Sequence, residues 1–306
     1  MPAHLAADKV TDLATAAAAV HDGALVALGG GLCARLPMGL VREVIRQGRR
    51  GLHVIGSAHS IDVDLLIAAG CLRVCEESYV GFEQDLGLAP AYRRAAVSGA
   101  IEVRESCCDT MLNQLRAAEF GIPFMAVRGV KGSDIRTLHP EYGELTCPFT
   151  GERLVVVPPL RPDVALIHAP LGDRRGNLHI PQPYVLDEHF ARASGNVVAS
   201  VERVASTTEV VEAGIVIPGY LVRAVVELPL GAHPSSCYPG YAYDRRHLSE
   251  YVTAAQEGGE ALAGYLDRYV YRAPGIEHYL ATVGAERIAT LSGYGSSTEA
   301  WRELFA

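Results

Sequence analysis

The run Asp22-Gly23-Ala24-Leu25-Val26-Ala27-Leu28-Gly29-Gly30-Gly31-Leu32-Cys33-Ala34-Arg35-Leu36-Pro37 carries the main structural signal of this chain. Asp22-Gly23 is a turn pair, and Ala24–Leu28 is apolar throughout, as a strand buried on both faces must be. Three glycines follow, and residues 38–49 then place Leu40, Val41, Val44 and Ile45 on one helical face. The order is strand, tight turn, helix. Glycines let a backbone turn sharply and bring N–H groups close to an anion or a carbonyl oxygen. No Gly-Lys-Ser/Thr follows and no GxGxxG is present, so neither a Walker loop nor a dinucleotide fingerprint is indicated. On the residues alone, a turn required only for packing remains open.

Outward from this run, short β-branched stretches alternate with amphipathic ones, the pattern of a parallel α/β sheet. Strands are expected at 53–55, 71–80, 101–104, 124–127, 154–157, 164–168, 197–201, 222–228 and 288–291, with helices at 9–21, 61–69, 90–98, 109–120 and across most of 246–283. Residues 128–153 show no period and read as a long loop. The expected fold class is α/β, an open mostly parallel sheet flanked by helices, in a single domain over 1–306.

Composition narrows the function classes. The chain has 306 residues, 49% hydrophobic and 20% charged, with a net charge of −8. A chain of this size buries a sizeable core without disulfides. Its acidic balance argues against nucleic acid as a partner. Of its 27 basic residues only Lys9 and Lys131 are lysines, which leaves many arginine forks suited to phosphate. No apolar run approaches a membrane span, and the N-terminus lacks a basic region before an apolar core, so a cytoplasmic protein is expected. The seven cysteines, Cys33, Cys71, Cys75, Cys107, Cys108, Cys147 and Cys237, lack zinc spacing and read as reduced, small buried residues.

The glycine run resembles the signature of the α-type subunits of family I coenzyme A transferases, through Asp22, Gly23, Val26-Ala27-Leu28, Gly29, Gly30 and Pro37. Gly31 stands where that signature has phenylalanine, and Arg35 where it has a later glycine. Gly121-Ile122-Pro123-Phe124, Gly132-Ser133-Asp134, Ile167-His168-Ala169 and Asp173–Asn177 extend the resemblance over almost the whole chain. The blocks Ile217-Pro218-Gly219 and Gly231-Ala232-His233-Pro234-Ser235-Ser236-Cys237-Tyr238 are similar to the glutaconate branch.

The resemblance implies an acyl-CoA as substrate, no permanently bound cofactor, and a β-type partner in a heterodimer or heterotetramer. In such enzymes the nucleophile is a glutamate in a Glu-Asn-Gly-type motif on the β-type subunit, and this chain has no such motif. Gly29, Gly30 and Gly31 would then offer N–H groups to a developing oxyanion, and Ser57, Gly132 and Ser133 would face the substrate. Ser98–Glu105 is similar to a second branch, the steroid-ring-cleaving CoA-ester hydrolases, which implies Glu105 as a catalytic base. Leu171-Gly172-Asp173 and Ser200–Val204 resemble that branch as well. A surface or salt-bridged Glu105 is the plain alternative. His233 has two readings, orienting substrate or locking its own loop. His59 is a weaker candidate base, and Cys107-Cys108 a weaker nucleophile. A noncatalytic scaffold for a catalytic partner is the third reading of the chain.

Overall fold

A computed structural model describes residues 8–292. Its strands are β1 (Leu25–Leu28), β2 (Leu52–His59), β3 (Leu72–Val80), β4 (Glu102–Val103), β5 (Met125–Val127), β6 (Gly143–Thr146), β7 (Arg153–Val157), β8 (Val164–Asp173), β9 (Leu178–His179), β10 (Asn196–Ala205) and β11 (Val222–Glu227). The large sheet runs β11-β10-β8-β1-β2-β3-β4, every pair parallel, with β9 added antiparallel to β8.

The apolar runs are continuous because both faces are covered. Along β1, Val26 and Leu28 join one core while Ala27 joins the other; Val54 and Ile55 of β2 divide the same way. This period of two assigns neighbouring residues to opposite helical layers. Helix Met38–Arg46 buries Leu40, Val41, Val44 and Ile45, the face expected from sequence.

Three sequence expectations need correction. Residues 128–153 are not a structureless loop: they contain a 3-10 turn at Asp134–Leu138 and strand β6, which pairs with β7. With β5 these form an antiparallel sheet, β5-β7-β6, over its own core of Val127, Val130, Tyr142, Val155 and Val157. β6 is mostly exposed, so its order comes from pairing that its own residues do not announce. The strand expected at 288–291 is helix Ala285–Ser292, whose Ile288 and Leu291, three apart, pack on Ala232, Cys237, Tyr241 and Ala242. The helix expected at 9–21 is confined to Leu13–Ala17: Asp12 caps it through the Thr15 N–H, and Val10 bridges to Val225 of β11.

Candidate functional site

From β1 the chain steps outward through β2, β3 and β4, then returns to β8 on the other side of β1 and continues through β10 to β11. In open α/β sheets the crevice opens at such a reversal, outside the carboxyl ends of the strands. A cavity of about 620 Å³ lies there, walled by the loops after β1, β3, β9 and β11 and by the end of β2. Leu32, Phe82, Val185, Tyr238 and Leu248 make most of its wall apolar. Leu32, Arg35 and Val185 line it with φ of 52°, 54° and 48°, a left-handed backbone that non-glycine residues adopt at a cost.

The three glycines shape this wall, but their N–H groups are already engaged. Gly29 donates to the Leu166 carbonyl at 2.9 Å, Gly30 to Asp187 Oδ1 at 2.9 Å, and Gly31 to the Ala34 carbonyl at 3.0 Å. The oxyanion role expected for them therefore has no spare donor in this arrangement. What the turn needs is room. A Cβ on Gly29 would lie 2.7 Å from Asp187 Oδ1, and one on Gly30 would lie 2.5 Å from the Ala34 carbonyl oxygen.

Asp187, at the start of helix Asp187–Ala193, is the residue that sequence reading missed. Its carboxylate is fully buried and also takes Arg35 Nη1 at 3.1 Å and Nη2 at 3.2 Å. No local signal links it to a turn 157 positions earlier.

The other expected site residues scatter. Ser57 enters the cavity wall, with Oγ 3.1 Å from Cys108 Sγ. Cys108, the first residue of helix Cys108–Phe120, is exposed, unlike the buried thiols expected. Cys71, Cys75 and Cys237 are buried, and burial pushes their thiols up. Glu105 is exposed, two residues past the end of β4 and on the same edge of the sheet, and its carbonyl is paired with His139 Nε2 at 3.0 Å. Gly132 and Ser133 are exposed beside the small sheet, outside the cavity wall.

His233 is fully buried. Its ring lies between Tyr279 Oη at 2.8 Å and Asp244 Oδ2 at 3.1 Å, and burial lowers its pKa. This is the geometry of a loop lock. His168, Glu202 and Cys237 also converge closely enough to suggest a metal set. Yet Glu202 already takes the Tyr241 hydroxyl at 2.7 Å and the Leu230 N–H at 2.6 Å, and pairs with His168 Nε2 at 2.7 Å. Burial would raise its pKa, and these bonds hold it lowered. The cluster ties the loop after β11 to β8 and β10, and a metal would have to break those bonds.

His59 is buried beside Ser57, out of reach of the cavity. Its Nδ1 is 2.9 Å from Glu77 Oε1, and Asp62 Oδ2 is 3.9 Å from Nε2. Burial alone would lower its pKa; the two carboxylates outweigh that and hold it up at about 9, against 6.5 for a free imidazole. The folded state therefore binds the extra proton between those values, and its stabilisation is present below pH 6.5 and lost as pH rises through about 9. The expected result is a melting temperature that falls across this window, by an amount equivalent to about 3 kcal/mol, with the slope removed in His59→Gln. A flat profile in the native chain rejects a charged His59.

Residues 10–228 match the family described as Coenzyme A transferase. A protein of Archaeoglobus fulgidus is 33% identical over 274 residues, 88% of this chain, and the chain spans only 60% of that relative's length. The A-type chain of glutaconate CoA-transferase from Acidaminococcus fermentans is 31% identical over 292 residues, covering 89% of this chain and 90% of its own. The crystal structure of that transferase superposes with a TM-score of 0.87 at 29% identity, over 92% of this chain and 95% of its own. The IpdA subunit of the cholesterol ring-cleaving hydrolase of Mycobacterium tuberculosis is 32% identical over 264 residues, 81% of this chain and 88% of its own. Among the described residues no helix is long and apolar enough to cross a membrane. The match over most of the chain and the near-complete coverage of A-type relatives establish that this chain belongs to the coenzyme A transferase family, as one of its α-type enzyme subunits.

Proposed function

We propose that this chain forms one domain that assembles with a β-type subunit in the cytoplasm, and that the pair moves CoA between an acyl-CoA and a carboxylic acid. The acyl group lies in the cavity at the β1/β8 reversal, and CoA enters as a thioester substrate. The observation that carries this reading is that, among the described residues, no unpaired carboxylate lines the cavity. Among the described residues the wall holds one carboxylate, Asp85, and it is paired with Arg245 Nε at 2.9 Å. Asp187, behind Arg35, is fully engaged.

A carboxylate must therefore come from the partner. It attacks the thioester carbonyl, forms the mixed anhydride and releases CoA thiolate; attack of that thiolate on the enzyme's acyl carbon then frees the acid and leaves an enzyme-bound CoA thioester. The glycine N–H groups are taken, so the Ser57 hydroxyl donates to the thioester carbonyl oxygen, which leaves the two unassigned N–H groups of Arg35 to the acyl chain.

The second reading, hydrolysis or C–C cleavage, is favoured by the exposure of Glu105 on the same edge of the sheet. One experiment separates the two. The purified chain alone is expected to turn over no acyl-CoA. The complex with its β-type partner, treated with hydroxylamine or borohydride in the presence of acyl-CoA, is expected to yield a modified carboxylate on the partner. Turnover by the chain alone sinks the two-subunit site. No trapped species, together with a loss in kcat of about 10²-fold or more in Glu105→Gln, assigns the Glu105-based reaction instead.

A further inference from the structure

Arg35 is the one basic residue in the cavity wall among the described residues, and its five N–H bonds can be assigned one by one. One from Nη1 and one from Nη2 grip the Asp187 carboxylate end-on, at 3.1 and 3.2 Å. The second from Nη2 goes to the Pro183 carbonyl at 2.9 Å. The Nε–H and the remaining Nη1–H have no protein acceptor among the described residues. A guanidinium has only two faces that hold a carboxylate by two parallel bonds, the end face and the Nε/Nη2 side. Asp187 occupies the first, and Pro183 takes half of the second. Arg35 can still donate single hydrogen bonds, but it cannot clasp another carboxylate.

Charge balance points the same way. Arg35 is neutralised by Asp187, and Asp85, the one acid of the wall among the described residues, is neutralised by Arg245. The rest of the wall is largely Leu, Val, Phe, Pro and Tyr. A carboxylate at the far end of an acyl chain would sit there as an uncompensated charge, stripped of water. A keto or hydroxyl oxygen needs only one donor.

We propose that Arg35, fixed in place by Asp187, makes this cavity selective for neutral acyl chains carrying a keto or hydroxyl oxygen, against chains ending in a carboxylate. This rests on the cavity being the acyl site of a CoA-thioester enzyme. The test uses the complex with its β-type partner, with acetate as acceptor, and compares octanoyl-CoA, its oxo derivatives at C5 and C7, and the CoA monothioester of octanedioic acid. An oxo derivative is expected to exceed octanoyl-CoA in kcat/KM by about tenfold or more, through KM, as one hydrogen bond to a charged donor allows. The octanedioyl thioester is expected to be the poorest of the set. Arg35→Met is expected to bring the oxo and plain thioesters to equal KM. Should that variant fail to assemble, the ratios measured with the native complex decide the matter.

Equal kcat/KM for the oxo and plain chains, or preference for the octanedioyl chain, overturns the inference and leaves the CoA-thioester reading standing. Turnover of none of these thioesters, with or without acetate, overturns both.

Discussion

Gly30→Ala is expected to cost about 3–5 kcal/mol of stability and to abolish turnover in the complex. Two effects add. Gly30 has φ +76°, where an L side chain costs about 1–2 kcal/mol. The new Cβ would also lie 2.5 Å from the Ala34 carbonyl oxygen, 2.6 Å from that of Arg35 and 2.7 Å from the Arg35 carbonyl carbon. The Ala34 carbonyl accepts from the Gly31 N–H and the Arg35 N–H donates to the Ser236 carbonyl, so these backbone atoms yield only if the turn opens. Gly48→Ala is the matched control. Its φ is +71° but nothing lies within 4 Å of its Cβ, so it should lose only the conformational part, about 1–2 kcal/mol. Urea unfolding of the two variants checks the contrast. Equal losses would mean that the crowding at Gly30 has no energetic weight.

Asp187→Ala is the second large effect, expected at about 4 kcal/mol or more. It leaves the Arg35 guanidinium, whose side chain is 6% exposed, without its counter-charge, and the Gly30 N–H without its acceptor. Breaking a buried pair from one side costs about 3–5 kcal/mol because the stranded charge loses its counter-charge and regains little hydration. The double variant Arg35→Gly/Asp187→Ala is expected to recover about 2 kcal/mol of this. It removes that charge and places glycine at a position whose φ of 54° favours it. Additive losses in the double-mutant cycle would show that the pair is not coupled.

Much of the fold was legible because it depends on local periodicity. The apolar run at Ala24–Leu28 and the face of Leu40, Val41, Val44 and Ile45 are repeats of two and 3.6 that any neighbour in the sheet would honour. β6 and the helix Ala285–Ser292 were not legible. Each is too short for period to decide, and each owes its form to a partner, β7 in one case and the 232–242 loop in the other.

The site divides along the same line. Gly29, Gly30 and Gly31 mark a turn from sequence alone, whereas Ser57, read from sequence as lying in a loop past a strand at 53–55, sits inside β2, which runs on to His59. That the glycine N–H groups are taken and that His233 is locked between Tyr279 and Asp244 follow from contacts between residues distant in the chain.

A buried strand running into a tight turn and then a helix is dictated by local residues, because glycines accept that turn most readily and an unbroken apolar run suits a strand covered on both faces. What the turn is for depends on the folded chain. A carboxylate from Asp187, 157 positions away, takes the Gly30 N–H and fixes Arg35 in the cavity wall. The physical reason is that a buried donor or charge must find its partner wherever the fold brings one, and sequence distance sets no limit on where that is.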